Sequence, residues 1–381
     1  MTSPRISRIS SIDLLRGAVM VLMAIDHVRV YSGVPAGGHD PAVFFTRWIT
    51  HFCVPAFVFF AGTSAFLYGT RHTKKELTQY LFIRGMLLVL LELTVIRFGW
   101  MFNFDFGSFT LAGVIWMLGW CMILLAAFVR LRAQTVGIIG FLIAAGQQVF
   151  HYLPQVLPGS FRAPFGQVWE FFYPSGLQGV PGIAILYVLI PWIGVMMLGY
   201  AFGMVMLKDA VTRRKFCLVC GWLAIGLFLV IAGIQTAMQT APPNALPFVL
   251  RMLSQQKYPA SQLYLLMTLG PLLVLLPLAE RARGWIAGVL ETFGRVPFFY
   301  YLLHIPLIHV LALFTNYIRE GAFHQDWYNT APFTEIPGDH RWSLGLLYLV
   351  FIIAELILYL ACRSYAKYKF LHPEKKWLRY I

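Results

Sequence analysis

Charge is what this chain has least of. Only 12% of its 381 residues are Asp, Glu, Lys or Arg, about half the share expected of a soluble chain. Acids are the scarcer sign, with 16 against 30 basic residues. Cysteine is also rare: Cys53, Cys121, Cys217, Cys220 and Cys362 lie mostly in apolar sequence. Cys217 and Cys220 form one CxxC with no second pair, too little for a zinc site, so these read as packing residues and imply no disulfides. There is no low-complexity tract, no obvious internal repeat and no polar stretch long enough for a soluble domain. The N-terminus is expected to be a retained first span rather than a cleavable leader. Arg5 and Arg8 precede an apolar run as in a signal peptide, but Asp13 and Arg16 interrupt it and no small-residue cleavage site follows.

What the chain does have is apolar length. Hydrophobic residues make up 59%, with 32 phenylalanines, and mean hydropathy is +0.69. Lipid must therefore solvate most of the surface. A span needs about 20 apolar residues. Candidates run over 11–31, 47–70, 79–98, 109–129, 134–152, 183–207, 215–238, 261–279, 288–317 and 343–363. The ninth is overlong and contains Gly294 and Pro297, so a short interfacial helix is expected before the true span. The expected fold is an all-α bundle of about ten transmembrane helices, one integral-membrane domain over residues 1–381.

Loop charge sets the orientation. Arg5/Arg8, Arg71/Lys74/Lys75, Arg130/Arg132, Lys208/Arg213/Arg214/Lys215, Arg281/Arg283 and the tail from Arg363 to Arg379 occupy every second loop. Basic loops face the cytoplasm, which puts both termini there. The net charge of +14 then reflects a basic membrane face, and nucleic acid is not an expected partner. The other face carries the longer loops 32–46, 152–182, 239–260 and 318–342. The second includes Trp169, Pro174 and Pro181, and irregular backbone near the membrane implies a wet cavity open to that side.

Ionisable groups inside spans cost roughly 2.5–3.5 kcal/mol each on insertion scales, so they face partners or cavities. Span one holds Asp13, Arg16, Asp26, His27 and Arg29. Arg16 and His27 are about three turns apart on one face, with His27 roughly 16 Å further out. That suits a long, thin ligand with an anionic end on Arg16 and a reactive end at His27. In span two, Arg47 and His51 stand at i and i+4, at the depth of Asp26 and His27, and Pro55 follows. Span three places Glu92 in its outer half and Arg97 near its outer edge. Span nine adds Tyr300, His304 and His309 as polar candidates. Near the inner edge, Arg16, Arg84 and Arg295 make a cationic site for phosphates, with Asp13 alongside.

Blander roles compete. Asp13, Arg29, Arg84, Arg97 and Arg295 also suit helix ends that snorkel to headgroups. His72, His151, His324, His340 and His372 read as structural hydrogen bonders. Asp26, His27 and His51 could in principle ligate zinc, but there is no HxxxH or HxH pair and arginines interleave them, so no metal is expected.

Three stretches carry a family resemblance. SIDLLRGAVMVLMAIDHVR (11–29), FFTRWITHFCVPAFVFFAGTSAFL (44–67) and GRVPFFYYLLHIPLIH (294–309) are similar to bacterial members of the heparan-α-glucosaminide N-acetyltransferase catalytic-domain family. The Arg16 to His27 spacing also resembles the first span of the wider acyltransferase-3 group. The resemblance implies a bacterial cytoplasmic-membrane enzyme. It would take acetyl-CoA from the cytoplasm and acetylate a sugar or glycan acceptor on the far side, and a homodimer is compatible with it. Arg16 would match the family arginine and His27 the family histidine. The lysosomal enzyme of the family has an asparagine at the position of His27 and its active histidine in the first luminal loop. In this chain that loop offers His39, within GGHDP, so His27 and His39 both stand as candidates.

Acetyl transfer to a hydroxyl or amine needs a base, and imidazole suits the task because its pKa lies near working pH. The expected base is His27 oriented by Asp26, or His27 as an acetyl carrier. Arg47 and His51 would stabilise the oxyanion or position the acceptor. Arg16, with Arg84 or Arg295, would hold the CoA phosphates. The rival class is a secondary transporter using the same buried groups as a proton or substrate site, against which stands the lack of two repeated halves.

Overall fold

A computed structural model describes residues 10–380 apart from 108, 157, 159–164, 175–181 and 243. Arg5, Arg8 and Pro181 lie outside the described residues.

The chain opens with α1 (Ser10–Ser32), a short α2 (Pro41–Trp48), a 3-10 turn over Ile49–Phe52 and α3 (Cys53–Gly69). Then α4 (Lys74–Leu91) continues through a π-helical segment, Glu92–Ile96, into α5 (Arg97–Met101). After α6 (Val114–Phe128) and α7 (Ala133–Ala145) come α8 (Leu189–Met206) and α9 (Ala210–Met238). The last third holds α10 (Phe248–Leu253), α11 (Gln262–Ala279), α12 (Trp285–Arg295), α13 (Pro297–Glu320) and α14 (Leu344–Leu371).

Among the described residues, six helices are long and apolar enough to cross a membrane. They comprise 41–69, α8, α9, α11, α13 and α14. Helix also fills the other four predicted segments, but α6 and α7 are short and α1 and α4 carry charge. Two predicted edges are not helical. Residues Thr110–Ala112 and Ile183–Ile185 pair instead as a two-stranded parallel ribbon, β1 and β2, with Thr110 opposite Ile183 and Ala112 opposite Ile185. Gly113 then caps α6, and β-branched residues on the ribbon suit extended backbone. The predicted span 134–152 likewise stops early, where Gly146 ends α7 and a 3-10 stretch runs to His151.

Glycines set how closely the helices cross. A Cβ added to Gly17 would lie 1.8 Å from the Leu290 carbonyl oxygen, and one on Gly294 would lie 1.7 Å from that of Asp13. The amphipathic α12 is thus pressed backbone to backbone against the N-terminal half of α1, the close approach that small residues permit between membrane helices. Gly62 and Gly199 seal α3 to α8 in the same way, as Gly85 and Gly119 do for α4 and α6.

The C-terminal end of α1 is pinned by the segment between α13 and α14. Trp342 donates its backbone N–H to the Ser32 carbonyl at 3.0 Å, and Thr334 its hydroxyl to Val30 at 3.3 Å. Tyr328 donates to Tyr31 at 3.3 Å and accepts from Asn316 at 2.8 Å. Burial pushes the Tyr328 phenol up to about 12, so it remains a donor across the working range.

Candidate functional site

The C-terminal half of α1 presents Asp26, His27 and Arg29 to a cavity of about 640 Å³. Its walls include Arg47 from α2, Glu92 from the π-helical segment, Trp100 from α5 and Tyr301 from α13. Tyr187, Tyr258 and the stretch from Thr330 to Glu335 also contribute.

His27 is held by another histidine. Its Nδ1 lies 2.7 Å from Nε2 of the fully buried His304. His304 Nδ1 in turn lies 2.7 Å from the Tyr301 carbonyl oxygen. A carbonyl can only accept, so His304 must carry its proton on Nδ1. In the neutral pair His304 Nε2 is then a bare acceptor and His27 Nδ1 must donate to it. The remaining nitrogen, His27 Nε2, is left with a lone pair. The two rings sit 4.8 Å apart at 24°, and Trp100 meets the His27 ring edge-on at 4.9 Å. Behind His304, Tyr300 donates a short hydrogen bond to Glu355.

This changes the expected division of labour. Asp26 does not orient His27: its carboxylate pairs with Arg29 Nε at 2.9 Å, and Arg29 also donates to the Val34 carbonyl at 2.9 Å. The i,i+3 neighbour was simply the nearer partner. His51 does not reach the cavity either. The 3-10 turn replaces the straight helix assumed for span two, and His51 is buried with Nδ1 3.2 Å from the Arg47 carbonyl, beside Tyr264. Arg47 alone of that pair lines the cavity. His39 is exposed on the loop before α2 and lines neither cavity described here. His309 sits apart, between the Gly99 carbonyl at 3.3 Å and Gln325 Oε1 at 3.1 Å. Arg97 is structural: it binds the carbonyls of Asn103, Asp105 and Phe109 and so clamps that loop.

A second cavity of about 290 Å³ lies around the N-terminal half of α1. Arg16, Arg84 and Arg295 all line it, joined by Lys369, and among the described residues no carboxylate does. Arg16 donates to Ser64 at 2.8 Å and stands 3.6 Å from Asp13, while Arg84 donates to the Tyr80 hydroxyl at 2.8 Å. Arg295 pairs with Glu291 at 3.1 Å. Val114 and Tyr301 line both cavities, so the two spaces share a wall.

Several of these groups escape sequence reading. Glu355 is one acid in an apolar span, a signal present but not weighed. Lys369 lies in a basic tail and looks like one topology charge among many. Trp100 and Tyr301 look like ordinary membrane aromatics.

The apolar helical bundle encloses a polar, histidine-bearing cavity, and a family match places the chain among membrane acetyltransferases. The family described as heparan-alpha-glucosaminide N-acetyltransferase, catalytic, matches residues 8–223, more than half of the chain, and the chain belongs to it. No curated protein matches the chain. The matched stretch contains Arg16, His27, Arg47, Arg84 and Glu92, while Arg295, Tyr301 and His304 come from beyond it and are added by the fold.

Proposed function

We propose that this protein transfers an acetyl group from acetyl-CoA, bound at the inner cavity, to a sugar or glycan acceptor in the outer cavity. In this reading ten spans cross the cytoplasmic membrane of a bacterium with both termini inside, and the acceptor meets the enzyme outside. The observation that carries it is the shared wall. One helix, α1, sends Arg16 into the cationic cavity and His27 into the other, with Tyr301 and Val114 common to both.

The cationic set Arg16, Arg84, Arg295 and Lys369 fits the phosphates of CoA by charge. The pantetheine arm would follow α1 outward over roughly 16 Å to bring the thioester to His27. There His27 Nε2 takes the proton of the acceptor hydroxyl or amine as it attacks the acetyl carbonyl. The C–S bond of the tetrahedral intermediate then breaks, and the proton passes from His27 to the departing CoA sulfur. In the covalent variant His27 Nε2 attacks first and carries the acetyl group to the acceptor. Arg47, which lines the same cavity as His27, serves the oxyanion. His304 fixes the tautomer that leaves Nε2 basic.

The test is acetyl-CoA consumption and self-labelling by purified protein in lipid nanodiscs, with wild type set beside His27→Ala. Turnover or acetylated protein that disappears in the mutant supports the proposal. Full activity in the mutant moves the lead to His39. A wild type that never consumes the thioester removes the enzyme reading and leaves the transporter, which would move substrate without breaking it.

A further inference from the structure

Glu92 is the least explained group in the outer cavity. It opens the π-helical segment Glu92–Ile96, a distortion that recurs at functional sites because it re-aims side chains. Here it brings the carboxylate against the first turn of α6. Gly113, the N-cap of α6, lies directly against it, so one end sits where a helix N-terminus favours an anion. A Cβ on Gly113 would lie 2.2 Å from Oε1, so glycine there leaves the room that the carboxylate fills. The other oxygen, Oε2, has no hydrogen-bond partner among the described residues, although the residue is only 2% exposed and lines the outer cavity. A buried acceptor left open in this way lacks the partner that such groups almost always have.

We propose that Glu92 is an acceptor-binding residue: Oε2 accepts a hydrogen bond from a hydroxyl or ammonium group of a sugar held in the outer cavity. Gly113 keeps the carboxylate in register for it. The inference rests on the acyltransferase reading, and names the group that holds the acceptor. Glu92 shares the cavity with His27 and the dividing residues Tyr301 and Val114, so a sugar anchored on Oε2 lies against the wall through which the acyl group would arrive. Carboxylates anchor sugars well because one oxygen can satisfy a hydroxyl that would otherwise lose water.

The experiment measures acetyl transfer from labelled acetyl-CoA to D-glucosamine, D-glucose and N-acetylglucosamine as probes, together with hydrolysis of acetyl-CoA by water. Glu92→Gln should raise the acceptor KM at least tenfold and leave hydrolysis within about two-fold. In the glutamine variant the amide oxygen turns to the helix N-terminus and the NH2 faces the acceptor, which reverses the polarity of the contact. Gly113→Ala keeps the carboxylate but displaces it. It should raise the same KM, and the double variant should fall short of the product of the two single effects. An unchanged acceptor KM in both single variants overturns the inference, as does equal loss of hydrolysis and transfer, which would mark a structural role. A wild type that consumes acetyl-CoA but acetylates none of the three probes also overturns it, with the acyltransferase reading intact. A wild type that consumes no acetyl-CoA defeats that reading itself.

Discussion

The proposed chemistry turns on one nitrogen, His27 Nε2, whose lone pair is fixed through two imidazoles by the Tyr301 carbonyl. His304→Phe keeps an aromatic ring but removes the acceptor for His27 Nδ1–H, so His27 can adopt the wrong tautomer. Transfer should fall by about 10²- to 10⁴-fold, the range for a lost acid–base arrangement, with acetyl-CoA affinity unchanged. Steady-state rates and equilibrium binding on one preparation would check both halves. His39→Ala should stay within about two-fold of wild type in the same assay, because His39 is exposed and lines neither cavity. For Arg16→Ala the expected result is a weaker donor Kd, by about 10- to 100-fold, as for loss of a charge-assisted contact worth roughly 1.5–3 kcal/mol. Isothermal titration in nanodiscs measures it directly. Arg16 and His27 were readable from sequence because both lie on one helix, where spacing gives the shared face. The partner of His27 was not, since it stands 277 residues away.

At the level of elements, glycine crossings decide which helix faces look at each other. Gly294→Ala would drive a methyl group into the Asp13 carbonyl, and over-packing of this kind costs about 1–3 kcal/mol. A drop of several degrees in the midpoint of thermal unfolding in detergent is expected. Gly233→Ala, on α9, meets nothing within 4 Å and should be neutral or slightly stabilising, since alanine is the better helix former. Equal destabilisation by both would show that the crossing of α1 and α12 is not special. The break between α12 and α13 was legible in sequence from Gly294 and Pro297, residues that do not continue a helix interior. The β1–β2 ribbon and the π-helical segment at Glu92 were not. Both depend on contacts between distant segments and leave no periodic trace.

Across the whole molecule, the proposal places the two cavities on opposite sides of the membrane. Single cysteines at His39 and Lys74, in a chain with its five native cysteines replaced, should react with an impermeant maleimide from opposite faces of sealed vesicles. Labelling of both from one face would refute the proposed topology. The sequence by itself determined that this is an apolar helical protein, which segments are helical and which charges lie among them. These follow from composition and local periodicity, since lipid demands long apolar helices whatever their arrangement. Only the tertiary structure decided that Asp26 pairs with Arg29 and that His51 turns away from the cavity. It also brought His304 to His27 and made Tyr301 common to both spaces. Those outcomes depend on the rotation and depth of each helix against its neighbours, which close glycine contacts and pinned loops fix and which no single helix encodes.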